Sequence, residues 1–269
     1  MIDIHTHLHP PRLFAAIRRW FAERSSWVLP HPTEPQAVVD VMRAHGVEQF
    51  AFCSYAHKPG IARELNAWLV DTARTLGRGA VPLATVHVGD ADPAGDAREA
   101  LRAGCAGLKV HEDVQNFRLD DERLSAVLAV VAEREGFVLA HVGRIPWSDD
   151  TADGPARVAR VLARHPALRI VVAHFGVPDH ARYLALAAES PRLWLDTTMV
   201  FAPESPMHVA VPATVVEASA THILYGTDWP NVPHAYDAEL RGLRALGLSD
   251  VALRAITAGN ARQLSAAFR

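Results

Sequence analysis

Cysteine is nearly absent: the 269 residues contain only Cys53 and Cys105. Two thiols in apolar neighbourhoods exclude a disulfide framework and predict reduced, buried side chains. Long apolar runs are also missing, since none approaches the roughly 18–20 residues that a membrane-spanning helix needs. Neither sign of charge is in excess. The formal net charge is −3, without a block of like charges, so nothing draws the chain to nucleic acid or to an anionic membrane. No signal peptide is visible, because Met1 leads within a few residues to an acid and two histidines. A cytoplasmic protein acting on a small molecule is the expectation. No linker or low-complexity stretch divides residues 1–269, and no G-x-G-x-x-G follows an apolar run, which removes the usual dinucleotide signal.

What is present is a repeating alternation. Eight short apolar or β-branched runs occur near 1–5, 47–54, 81–88, 106–111, 137–142, 169–175, 193–197 and 222–227, each followed by helical patterning. Several are almost continuously apolar, as strands covered on both faces must be. Between them, Thr33 with Gln36 fits a capping box, Pro35 suits a first turn, and Gly46 follows a last one. Helical patterns are also read near 93–103, 120–135, 153–164, 179–189, 206–219 and 236–246, and a last helix near 249–268. Eight such units predict a single (β/α)8 barrel, with an open doubly wound sheet as runner-up. The long connection 8–32 contains PRLFAAIRRWFAER. It would lie over the C-terminal face as a lid-like insertion.

Histidine is plentiful, with 15 residues, and several of them end the apolar runs. His5 and His7 stand two apart at the end of the first run, on one face of a strand. Lys109 and His111 share a face at the end of the fourth, His141 closes the fifth, His174 the sixth, and Asp228 follows the eighth. In a parallel barrel these ends converge on one rim. Imidazoles with a carboxylate around a point suit a borderline divalent metal, Zn²⁺ first, with Mn²⁺, Fe²⁺ and Co²⁺ as alternatives.

The stretches DIHTHLHP, GLKVHE, LAHVG, VAHFG, YGTDWP and GNARQL span nearly the whole chain. Through them the sequence resembles the amidohydrolase superfamily, in its branch of small metal-dependent hydrolases and decarboxylases. The resemblance implies a metal held by His5, His7, His141 and Asp228, with Asp228 also facing the attacking water. It implies that His174 is the acid/base or oxyanion partner, or a ligand in members that hold a second ion. One metal is the expectation. Lys109 is left between substrate contact and a structural ion pair, with a carboxylated bridge as the lesser option.

Other candidates rest on position alone. His111, His57, Arg144 and Trp229 are candidate substrate contacts, with Trp147 beside Arg144 in the loop after the fifth strand. Arg144 suits a carboxylate. His9 shares a face with His5 and His7 if the first strand continues, although Pro10 argues that the chain is leaving it. His87 and His111 are otherwise read as hydrogen-bonded wall residues. The expected activity is hydrolysis of an ester, lactone or amide of a small, carboxylate-bearing substrate. Non-oxidative decarboxylation of an aromatic or unsaturated acid is the alternative, and an inactive binding barrel the third reading. Outer helices of such barrels often form homodimer surfaces, but no patch stands out.

Overall fold

Every residue of the first strand, β1 (Ile2–His7), is buried. The next seven are almost as deeply enclosed. They are β2 (Gln49–Cys53), β3 (Ala80–Ala84), β4 (Gly107–His111), β5 (Phe137–His141), β6 (Arg169–Val172), β7 (Leu193–Asp196) and β8 (Ile223–Leu224). Burial on both faces is what a parallel sheet wrapped by helices requires. The structure is a computed structural model, and it describes residues 1–24, 27–142 and 153–269.

The strands pair in parallel in the order β1 to β8. The seam between β8 and β1 is stitched by the Ile4 amide donating to Tyr225 O at 2.9 Å and the His7 amide donating to Trp229 O at 2.7 Å. The result is the nearly closed (β/α)8 barrel that the alternation predicts. Ile2, Ile4, Leu83, Leu139, Val171 and Leu224 share one apolar cluster that fills its interior. Leu108, Val110, Val138, Ile170 and Leu195 belong to a second cluster, packed against the surrounding helices.

Those helices are α1 (Pro11–Arg24), α2 (Pro35–Ala44), α3 (Ala62–Leu76), α4 (Pro93–Ala103), α5 (Glu112–Gln115), α6 (Ser125–Glu133), α7 (Gly154–Arg164) and α8 (His180–Glu189). They continue with α9 (Ala213–Ala218), α10 (Ala238–Ala245), α11 (Asp250–Arg254) and α12 (Asn260–Leu264). The expected lid is α1, directly after β1. The expected closing helix is broken into α11, a π turn, α12 and a last 3-10 turn. Its residues Leu264 and Phe268 are fully buried, and Phe268 lies 6.2 Å from the ring of Phe137 at the start of β5. The chain end therefore plugs the bottom of the barrel.

Local details differ from the sequence reading in two further places. The Thr33–Gln36 capping box does not form: Glu34 is the cap of α2, without a side-chain bond, and the Gln36 amide donates to Asp40 instead. The helix expected over 206–219 is confined to Ala213–Ala218, with Pro212 as its cap. Proline there is tolerated only at the helix start.

One irregularity aims the site. Between Asp3 and Thr6 the β1 register shifts, so that Asp3–Thr6 on β1 faces Phe50–Phe52 on β2. The extra residue is a β-bulge, and it changes which side chains point inward. Ile2 fills the interior before it, and Ile4, within it, joins the same cluster. His5 and His7 meet the interior groups Asp196 and Cys53 after it.

Candidate metal centre

The ends of β1, β7 and β8 build the centre of the rim. His5 Nδ1 donates to Asp196 Oδ2 at 2.8 Å, with Thr198 Oγ1 3.2 Å away. That bond fixes the tautomer and turns Nε2 inward as an acceptor. There Nε2 lies 2.8 Å from Lys109 Nζ and 3.3 Å from Asp228 Oδ1. His7 Nε2 is 2.6 Å from the same Asp228 oxygen and 3.0 Å from the Tyr55 hydroxyl. Its Nδ1 rests 3.3 Å from Cys53 Sγ. Gly226 makes the close approach possible: a Cβ there would sit 2.9 Å from His5 Cβ and 2.7 Å from Thr198 Oγ1.

Backbone conformation at the rim is unusual. His174, Met199 and Asp228 follow β6, β7 and β8, with φ of 54°, 64° and 61°. Left-handed backbone in non-glycine residues costs free energy and marks functional sites. The neighbours compensate. The His174 amide donates to Asp196 Oδ1 at 2.8 Å, and the Asp228 amide donates to His5 O at 2.8 Å. One buried carboxylate, Asp196, thus orients His5 and pins the turn that carries His174.

The electrostatics pair one anion, Asp228, with one cation, His7: burial would lower its imidazole, but Cys53 and Asp228 raise it to about 9. The other imidazoles of the cluster are held low. Burial works to raise the Asp228 carboxyl, but the His7 and His5 imidazoles hold it far below the usual carboxylate range. Burial, then the Lys109 ammonium, push His5 well below the usual imidazole value. Burial and the neighbouring imidazoles do the same to His141, and burial lowers His174 and Lys109. A divalent ion needs neutral imidazole nitrogens and an ionised carboxylate, so His7 gives up its proton as the ion binds while His5 and Asp228 are already in the ligating form.

Ligand atoms of His5, His7 and Asp228 all lie within 4.8 Å of one another. The Nδ1 of His174 is buried without a hydrogen-bond partner among the described residues. The donor set therefore fits a divalent cation. His141 stands one ring further out, stacked on His111 at 4.0 Å and edge-on to His174 at 4.5 Å. It borders the three-residue group without belonging to it.

The remaining candidates divide. His57, His111, His141, His174 and Asp228 line a cavity of about 460 Å³ above the cluster. Lys109 is wholly buried beneath it. Trp229 is also buried. Its indole N–H donates to Val38 O at 3.3 Å and its ring packs 4.0 Å from His31, so it supports the rim from behind and is not among the cavity-lining residues. His87 lies beyond the end of β3, where Nδ1 accepts from the Gly89 amide at 3.0 Å. His9 is stacked on His7, with Nδ1 2.9 Å from Ser54 Oγ. Arg144 and Trp147 fall outside the described residues.

Sequence reasoning missed Asp196 and Tyr55. Asp196 carried a usable signal, since LWLDT places an acid next to its end, where other runs place a histidine. Tyr55, in SYAHKPG, carried none beyond its place after β2.

Comparison with known proteins gives a family and a fold. A family model described as amidohydrolase matches residues 2–264. Among proteins of curated function, none matches. An uncharacterized TIM-barrel protein of Bordetella bronchiseptica superposes with a TM-score of 0.76 at 21% identity, over 98% of each chain. A 2,6-dihydroxybenzoate decarboxylase from Rhizobium gives 0.69 at 16% identity, covering 98% of this chain and 97% of its own. A probable 2-pyrone-4,6-dicarboxylic acid hydrolase of Acinetobacter baumannii gives 0.66 at 14% identity, over 98% of each. At such identities the likeness concerns the fold.

Proposed function

Because the chain belongs to the amidohydrolase family, whose members include both hydrolases and decarboxylases, we propose that it is a metal-dependent hydrolase of an ester, lactone or amide bond. The observation that carries this reading is the convergence of His5 and His7 on Asp228, which itself lines the cavity. These three hold one divalent ion, Zn²⁺ before Mn²⁺, Fe²⁺ or Co²⁺, and His141, which borders them against His174, is the fourth ligand only if its ring moves in as the ion binds. Bound there, such an ion supplies positive charge that polarises a substrate carbonyl and acidifies water.

The chain's own residues then divide the work. Asp228 is ionised and at the cavity floor, so one carboxylate oxygen accepts the proton of the attacking water while the other stays with His7. His174 lines the same space and has a buried, unpartnered Nδ1; its imidazole donates to the developing oxyanion or to the leaving group. Asp196 holds His5 and His174 in register for both tasks. Lys109, 2.8 Å from His5, keeps positive charge beneath the site. The surroundings are cytoplasmic, in keeping with two free, buried cysteines.

The aromatic side of the cavity, where Trp20, Phe21 and Trp27 lie, favours a second reading, decarboxylation of an aromatic acid. One experiment separates them. Purified protein is loaded with Zn²⁺ or Mn²⁺ and offered esters, lactones, amides and aromatic acids in ¹⁸O-labelled water. Label entering the product, abolished by a chelator and restored by metal, is the expected result. Turnover indifferent to the chelator would overturn the metal mechanism, and carbon dioxide release without label would turn the reaction to decarboxylation.

A further inference from the structure

The cavity has two unlike sides. Its floor is the cluster of histidines and Asp228, and one wall is a single helix. On α1, Leu13, Ala16, Ile17, Trp20 and Phe21 fall at helical spacing on one stripe and all border the cavity. Helices normally bury such a stripe in the core. Here each of these residues is only half-buried, and Phe14 is the one fully enclosed residue of α1. Phe14 packs 5.3 Å from the ring of His9 behind the site. Phe14 and Leu13, which packs against Ala56, Ala62 and Leu65, tether the helix, while the rest of its apolar stripe is turned to the space above the reacting groups.

Volume and chemistry define what fills that space. About 460 Å³ is within the range of small-molecule sites, roughly 300–1,000 Å³. Met199 and Met207 extend the apolar side, and methionine adapts to irregular apolar shapes. The charged groups among the described lining residues are the carboxylates Asp113 and Asp228. Asp113 is paired with Arg118 at 3.7 Å and Asp228 with His7, and no lysine or arginine is among the described lining residues to receive an anionic tail.

We infer that α1 is the specificity wall of the site, and that the substrate carries an uncharged, ring-sized apolar body which lies against Leu13, Ala16, Ile17 and Trp20 while its polar end reaches the cluster. This rests on the hydrolase reading for the reacting bond, but the wall can be tested without turnover. It concerns the α1 end alone, since Arg144, expected to meet a carboxylate, lies outside the described residues.

The experiment is equilibrium binding to the Zn²⁺-loaded protein, with 2-naphthol and its 6-sulfonate as probes and zinc stoichiometry measured in parallel. Wild type is expected to bind 2-naphthol at least about 10-fold more tightly than the sulfonate. Ala16→Trp, which fills the cavity from the wall, and Ile17→Asp, which charges it, should each weaken 2-naphthol at least about 10-fold with zinc stoichiometry unchanged. Ala15→Trp, on the exposed face of α1, should change it less than twofold. These thresholds follow from one buried apolar group being worth about a factor of 10 or more. Equal or tighter binding of the sulfonate overturns the neutral body. Affinity unchanged in both Ala16→Trp and Ile17→Asp overturns the wall. A protein that hydrolyses nothing yet binds naphthol in this pattern refutes the hydrolase reading and leaves the wall standing.

Discussion

The two ends of the barrel are built on opposite terms. At the bottom, Phe268, Leu264 and Phe137 are fully buried and purely apolar. At the top, His5, His7, Lys109, Asp196 and His174 are nearly as deeply buried and all polar. Left-handed backbone at His174, Met199 and Asp228 adds to the cost at that end. Burial at the bottom stabilises the fold, whereas burial at the top is costly unless every group finds a partner. The division puts stability and chemistry on different residues of the same strands, as expected of such barrels.

The contrast can be broken deliberately. Asp228→Asn should lower turnover by about 10³-fold or more while shifting the unfolding midpoint by less than about 4 °C. Steady-state kinetics beside a thermal melt checks this, and wholesale unfolding would make the top a structural site instead. Phe268→Ala is the converse. It should cost about 3–5 kcal/mol of stability and leave turnover of the folded protein unchanged, read from denaturant curves and an assay well below the midpoint.

Asp196→Asn sharpens the division within the top itself. The amide keeps the shape but loses the charge that orients His5, so metal affinity or activity should fall by about 10–100-fold. Zinc titration checks it, and an effect on stability alone would remove Asp196 from the site. The smallest effect concerns Glu239, on α10 behind the rim. Burial pushes its carboxyl well above the usual value, and Oε1 accepts from the Phe201 amide at 2.9 Å. A folded-state pKa raised in this way gives stability that is full below the ordinary carboxyl pKa and lost as pH rises through the folded one. Urea midpoints from acid to mildly alkaline pH should therefore decline in the wild type, and Glu239→Gln should flatten that slope.

Much of this was legible in the primary structure because its signals are local. Runs such as FVLAHV are apolar throughout and carry their polar residue at the end, so both the strand and the rim position show in six letters. His5, His7 and Asp228 were read in the same way. What escaped depends on distant partners. Asp196 meets His5 across 191 residues, and nothing near either one announces the pair. Trp229 looked like a substrate contact because it follows Asp228, but its indole found a carbonyl on α2, again 191 residues away. The Thr33 cap failed for the opposite reason: a sound local motif was displaced by the next residue's geometry.

The extra residue in β1 gives the site a single point of failure. Because strand side chains alternate, removing Ile4 would exchange the inward and outward faces of everything after it. His5 and His7 would both survive in the gene and both leave the axis. A relative could thus lose its chemistry through one three-base deletion while keeping each ligand, its barrel and most of its stability. Inspecting the length of the first strand, before counting histidines, is therefore the surer guide to which relatives retain a working centre.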